Sequence, residues 1–156
     1  MKWRFVLCVI LCMVPMLLIG YIGPSISPSI APLSPTPKEI VISYSPTTMD
    51  QVGKRATAGP GYTYLVVSLD IEDNGYSSFS TNPFYFLVTA NKVEYAPVGV
   101  GLEDELRYIE LLDGGKICGK LVFRVPKEVT KSGYQLKYKY QDWGIINVEW
   151  IKQQQC

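Results

Sequence analysis

The sequence contains no histidine. That absence removes the commonest general base, the usual activator of a serine or cysteine nucleophile, and the commonest zinc ligand. A glycine-rich nucleotide loop, a nucleophile elbow and a cysteine set spaced for a metal are also missing. No Asn-x-Ser/Thr acceptor for N-linked glycan occurs. Basic clusters are missing as well. Fifteen basic side chains face 14 acidic ones, and without Lys2 and Arg4 the remainder is 13 against 14. Such a balance gives no electrostatic footprint for nucleic acid. The expectation is a protein that is not an enzyme and uses no cofactor.

The first clear feature present is an uncharged run over residues 5–22, preceded by Lys2 and Arg4 and followed by no charge until Lys38. As a helix its 18 residues would span about 27 Å, close to a hydrocarbon core of roughly 30 Å. The flanking charges predict an N-terminus inside and the rest outside, a single-pass protein whose C-terminal domain lies outside the cytoplasm. A secretory signal is the alternative, but its apolar core is shorter and ends in a small-x-small site, whereas this run ends Gly20-Tyr21-Ile22-Gly23-Pro24. Residues 1–23 are therefore read as a transmembrane anchor or uncleaved signal, with cleavage a little later, after Ser25, left open. Cys8 and Cys12 sit too early in the run for lipidation, and Leu11 rather than a small residue precedes Cys12.

Residues 24–37 form a stalk. Pro24, Pro28, Pro32, Pro35 and Pro37 alternate with serines. Proline fixes φ and removes backbone donors, so the stretch favours an extended spacer of roughly 40 Å.

From residue 38 to 156 the apolar period is two. Leu65, Val67, Leu69 and Ile71 form one face of a strand from Tyr62 to Glu72, with Tyr64, Val66, Ser68 and Asp70 on the other. Further strands are expected from Phe84 to Val88, Val93 to Ala96, Arg107 to Leu112, Tyr134 to Tyr140, and through Ile146, Val148 and Trp150. Between them, Ile117, Gly119, Leu121, Phe123 and Val125 face inward while Lys116, Cys118, Lys120, Val122 and Arg124 face outward. About eight short strands and no capped helix predict an all-β fold, an antiparallel sandwich.

The order of these segments also resembles a known family. A β-branched strand ends in an acidic-Asn turn at Asp73-Asn74-Gly75, an aromatic hairpin runs from Phe84 to Tyr95, and Leu112-Asp113-Gly114-Gly115-Lys116 leads into Gly119-Lys120-Leu121-Val122-Phe123-Arg124-Val125-Pro126. Over residues 59–140 the chain resembles the immunoglobulin-like domain of unknown function common in exported, membrane-anchored proteins and lipoproteins of bacteria and archaea. The resemblance implies an immunoglobulin-like sandwich at the cell surface and transfers no catalytic residue. This chain departs from it in having no convincing lipidation cysteine.

Three groups are candidate sites. Cys118 and Cys156, an even pair in an exported domain, suggest a disulfide; the alternatives are free thiols, or a reactive Cys118 activated by Lys116 and Lys120. Glu103, Asp104 and Glu105 are weak calcium candidates, since no calcium-loop spacing accompanies them. Tyr64, Tyr85, Tyr95, Tyr108, Tyr134, Tyr138 and Tyr140 could form a contact surface, but period-two spacing favours packing. The expected function is a non-enzymatic module that contacts another envelope protein or serves as an accessory subunit. The alternative is an anchored or secreted ion- or small-ligand-binding sensor.

Overall fold

Alternating strands of the predicted kind organise the chain, and their pairing sorts them into sheets. The computed structural model describes residues 37–153; the expectations placed on residues 1–36 and on Cys156 lie outside these. Strand β1 runs Glu39–Met49, β4 Tyr62–Asn74, β9 Lys116–Pro126 and β11 Val148–Lys152. They form a four-stranded sheet in the order β11-β1-β4-β9. A second sheet joins β10 (Gln135–Tyr138), β6 (Phe86–Ala90) and β7 (Val93–Tyr95) in that order. Two short ribbons complete the set: β2 (Gln51–Val52) with β3 (Ala56–Thr57), and β5 (Phe79–Ser80) with β8 (Glu110–Leu111). Pairing is antiparallel except between β1 and β11, which run parallel from Ile40 opposite Val148 to Tyr44 opposite Lys152. The antiparallel expectation is thus corrected at this edge.

The expected register holds at the centre. Leu65, Val67, Leu69 and Ile71 of β4 and Leu121, Phe123 and Val125 of β9 are buried in one cluster with Phe86 and Val88 of β6 and Leu136 and Tyr138 of β10. The buried faces of both sheets therefore contribute to the same core. At the β6–β7 hairpin, Asn91 and Lys92 take φ of 51° and 65°, the pair of left-handed residues that a two-residue turn needs to match strand twist.

Several local expectations are corrected. Phe84 does not begin a strand: Pro83–Tyr85 is a 3-10 turn, in which the Phe84 backbone N–H donates to Asn82 Oδ1 at 3.0 Å. Arg107 to Leu112 contributes only the two residues of β8. A helix does occur, α1 (Lys127–Ser132), beginning after Pro126 and ending at Gly133, whose φ of 94° suits glycine. Val129 anchors it to the core.

The outward face of β4 and β9 is also partly covered. Val122, expected outside, is 1% exposed and packs with Val52, Ala58, Tyr64 and Val66, backed by Val100 and Leu102. The β2–β3 ribbon and the 97–106 loop lie over this face. The loop also bonds the free edge of β9: Val98 N–H donates to Val122 O at 2.7 Å and Leu106 N–H to Lys120 O at 2.8 Å.

Candidate functional site

Bulky aromatics on a wet face are costly to solvate, so their positions point to contact surfaces. Phe84 is 69% exposed and Trp143 62% exposed, and both line one groove of about 340 Å³ over the outer face of β6, β7 and β10. Two elements hold them there. Asn82 and Pro83 set the 3-10 turn that carries Phe84 outward. Trp143 sits in a turn after β10, closed by Gln141 N–H donating to Tyr138 O and Gly144 N–H donating to Gln141 O, each at 3.0 Å. Its ring meets Tyr140 edge-on at 5.2 Å, and Tyr140 meets Tyr85 at 4.8 Å. The neighbouring Tyr85 hydroxyl pushes the Tyr140 phenol above its ordinary range. Charges of both signs rim the groove: Glu94, Lys139, and Lys137 paired with Asp142 at 3.4 Å.

Neither Phe84 nor Trp143 stood out in the sequence. Phe84 read as the start of a strand, and Trp143 follows the alternating segment without joining its period. The available signal was a large aromatic beside turn formers, Asn82-Pro83 for one and Asp142 with Gly144 for the other.

The tyrosines expected to pack mostly do. Tyr64 and Tyr138 are buried, and Tyr85, Tyr95, Tyr134 and Tyr140 are half-buried against the core. Tyr108 is exposed, with its hydroxyl donating to Glu110 Oε1 at 3.0 Å.

The three neighbouring carboxylates diverge. Asp104 pairs with Lys120, which holds its carboxyl below the usual range. Glu105 Oε1 accepts the Val100 and Leu102 backbone N–H groups at 2.8 and 3.2 Å, so it pins its own loop. Glu103 is exposed over a different groove. The structure does not bring them together as ligands, and no group of three acids or cysteines suited to a metal occurs among the described residues.

Cys118 is exposed and unpaired among the described residues, on the β9 face opposite Asp70. The lysines expected to activate it are engaged elsewhere, Lys116 with Glu72 at 2.8 Å and Lys120 with Asp104. Its expected partner, Cys156, lies outside the described residues.

One buried acid was not anticipated. Asp73 is 0% exposed; its Oδ1 accepts the Tyr76 N–H at 2.9 Å, while Oδ2 has no partner among the described residues. Burial raises its pKa above the ordinary 3.8, reinforced by Asp113 and opposed by the Tyr76 bond and by Lys38. The folded state therefore holds this proton to higher pH than the unfolded chain does. The resulting stabilisation is fully present below pH 3.8 and is lost as pH rises through the folded value. Asp73→Asn keeps the acceptor for Tyr76 and removes the buried charge. The variant is expected to be about 1 kcal/mol more stable than the parent at pH 7, with the gap narrowing toward pH 3. Urea denaturation of both proteins at the two pH values checks this; a gap that does not change with pH contradicts it.

The sequence pattern of a domain of unknown function, DUF4352, matches residues 37–145. The chain belongs to this family. No curated protein and no solved structure matches it. The DUF4352 match takes in Phe84, Trp143 and the carboxylate loop, and stops short of β11. The parallel edge strand lies beyond the matched DUF4352 span. Among the described residues no helix is long and apolar enough to cross a membrane.

Proposed function

We propose that this chain is a non-enzymatic, extracytoplasmic module of immunoglobulin-like sandwich architecture, held at the membrane by residues 5–22, that binds another envelope protein. The sandwich reading is supported by the single core shared by the two larger sheets. Membrane attachment is supported by the uncharged 18-residue run behind Lys2 and Arg4. The contact role rests on one observation, the exposure of Phe84 and Trp143 along one charge-rimmed groove. Tryptophan is enriched among residues that dominate binding energy, and an apolar centre with a polar rim is the usual anatomy of such surfaces.

The test is cross-linking in intact cells through the rim lysines Lys137 and Lys139, followed by purification from solubilised membranes and mass spectrometry. A specific partner is expected, with affinity falling about thirtyfold in Trp143→Ala, the equivalent of a 2 kcal/mol anchor. An unchanged yield in Trp143→Ala and Phe84→Ala would exclude this groove as the interface.

A further inference from the structure

The groove between the β2–β3 turn and the 97–106 loop carries an unbalanced charge. Lys54 and Arg55 on the turn and Arg124 of β9 line it against one carboxylate, Glu103, so the lining is net +2. Four lysines of the domain have acidic partners: Lys116 with Glu72, Lys120 with Asp104, Lys127 with Asp50 and Lys137 with Asp142. Lys54, Arg55 and Arg124 make no ion pair among the described residues. Like charges gathered without a counter-charge repel, and an anion between them relieves that repulsion.

Arg124 is held in place before any ligand arrives. Its guanidinium lies 4.0 Å from the centre of the Tyr62 ring, and its Nε donates to Ala58 O at 2.8 Å. Its terminal nitrogens have no partner among the described residues. They are unpaired donors on a side chain that lines a space of about 740 Å³. Gly99 and Gly101 line the loop side together with Val98, Val100, Leu102 and Glu103.

We propose that this groove is an oxyanion site that takes a phosphate group. The planar guanidinium offers two parallel donors to one phosphate, while Lys54 and Arg55 add charge from the turn. A monocarboxylate would leave the lining positively charged, whereas a phosphate dianion balances the net +2. The site is separate from the aromatic groove and does not rest on the reading of that groove.

The full-length chain in neutral detergent micelles is titrated calorimetrically with inorganic phosphate. It is then titrated with micelles of the same detergent containing phosphatidic acid, whose phosphomonoester headgroup can carry two negative charges as inorganic phosphate does. One saturable site is expected, weakening as salt is added. Arg124→Lys should weaken binding about tenfold, because it keeps the charge and loses the fork. The double variant Lys54→Ala/Arg55→Ala should weaken it at least about tenfold and lies on an exposed turn, so it reports even if Arg124→Lys does not fold. Glu103→Gln should tighten binding about threefold by removing the opposing charge. Saturable binding of phosphate alone identifies a free ion as the ligand, and binding only of the lipid-containing micelles identifies a headgroup. Absence of saturable binding to either, or binding that all three variants leave unchanged, overturns the proposal.

Discussion

Tyr138→Ala is expected to destabilise the domain by about 4 kcal/mol, while Tyr138→Phe costs about 1–2 kcal/mol. The side chain is 1% exposed and is among the largest that are fully buried. Its ring packs against Phe79 at 4.8 Å and Phe86 at 5.1 Å. Truncation to alanine would open a cavity between β10 and its neighbours that these aromatic rings cannot close by small shifts. The hydroxyl does separate work. It donates to Ser80 O at 2.7 Å, tying β10 to the β5–β8 ribbon. Burial and the nearby Tyr140, Tyr85 and Glu110 push the phenol far above its ordinary range. Phenylalanine keeps the ring and leaves the Ser80 carbonyl without this donor. Chemical denaturation of the three proteins checks the prediction through midpoint shifts at constant m-value. If Tyr138→Phe cost as much as Tyr138→Ala, the hydroxyl rather than the ring would dominate.

A second large effect is expected at Gly119, where Gly119→Ala should cost about 2 kcal/mol and Gly119→Val about 3 kcal/mol. The reason is space, since Gly119 is not among the glycines with positive φ. A Cβ there would lie 2.7 Å from the Leu106 Cα and 3.0 Å from its backbone nitrogen. Backbone atoms cannot rotate aside, and Leu106 is itself held by its N–H bond to Lys120 O and by burial in the core. The added carbon would therefore lift the 97–106 loop from the β9 edge. Because the same loop walls the groove of Lys54, Arg55 and Arg124, amide exchange should quicken at Val98 and Leu106, which donate across that edge. Gly99→Ala is the matched comparison: nothing lies within 4 Å of its Cβ position, so its cost should stay within about 0.5 kcal/mol. Equal losses at the two glycines would refute the steric account.

How far the sequence could be read differs from element to element. The inward face of β4 was legible because four apolar residues alternate with polar or mixed ones over a long strand, and a one-residue slip would have exposed all of them. The same alternation misjudged Val122. Its neighbours Lys120 and Arg124 are polar, but a short-range pattern does not reveal that a distant ribbon and a loop bring Val52, Val100 and Leu102 over that face. The uninterrupted runs Leu65-Val66-Val67 and Leu121-Val122-Phe123 were the available sign that both faces are covered. Helix α1 was missed because it is only six residues long, too short to establish a helical period.

The candidate sites were less legible than the fold. Three adjacent carboxylates suggested shared chemistry, yet adjacent residues in a loop point in different directions. Asp104 turned to Lys120, Glu105 to the backbone N–H groups of Val100 and Leu102, and Glu103 to a groove. The cations Lys54, Arg55 and Arg124 are up to 70 residues apart and gave no linear cluster.

By itself the sequence determined the strand-rich class, the inward face of the central strands, and the exclusion of histidine-based chemistry, because alternation and composition are local or additive properties. Tertiary structure alone decided the parallel pairing of β11 with β1, the second covered face, and the placing of Phe84 and Trp143 along one groove and of Arg124, Lys54 and Arg55 along another. These depend on which distant segments pack together, and a period of two specifies the face of a strand without naming what will lie against it.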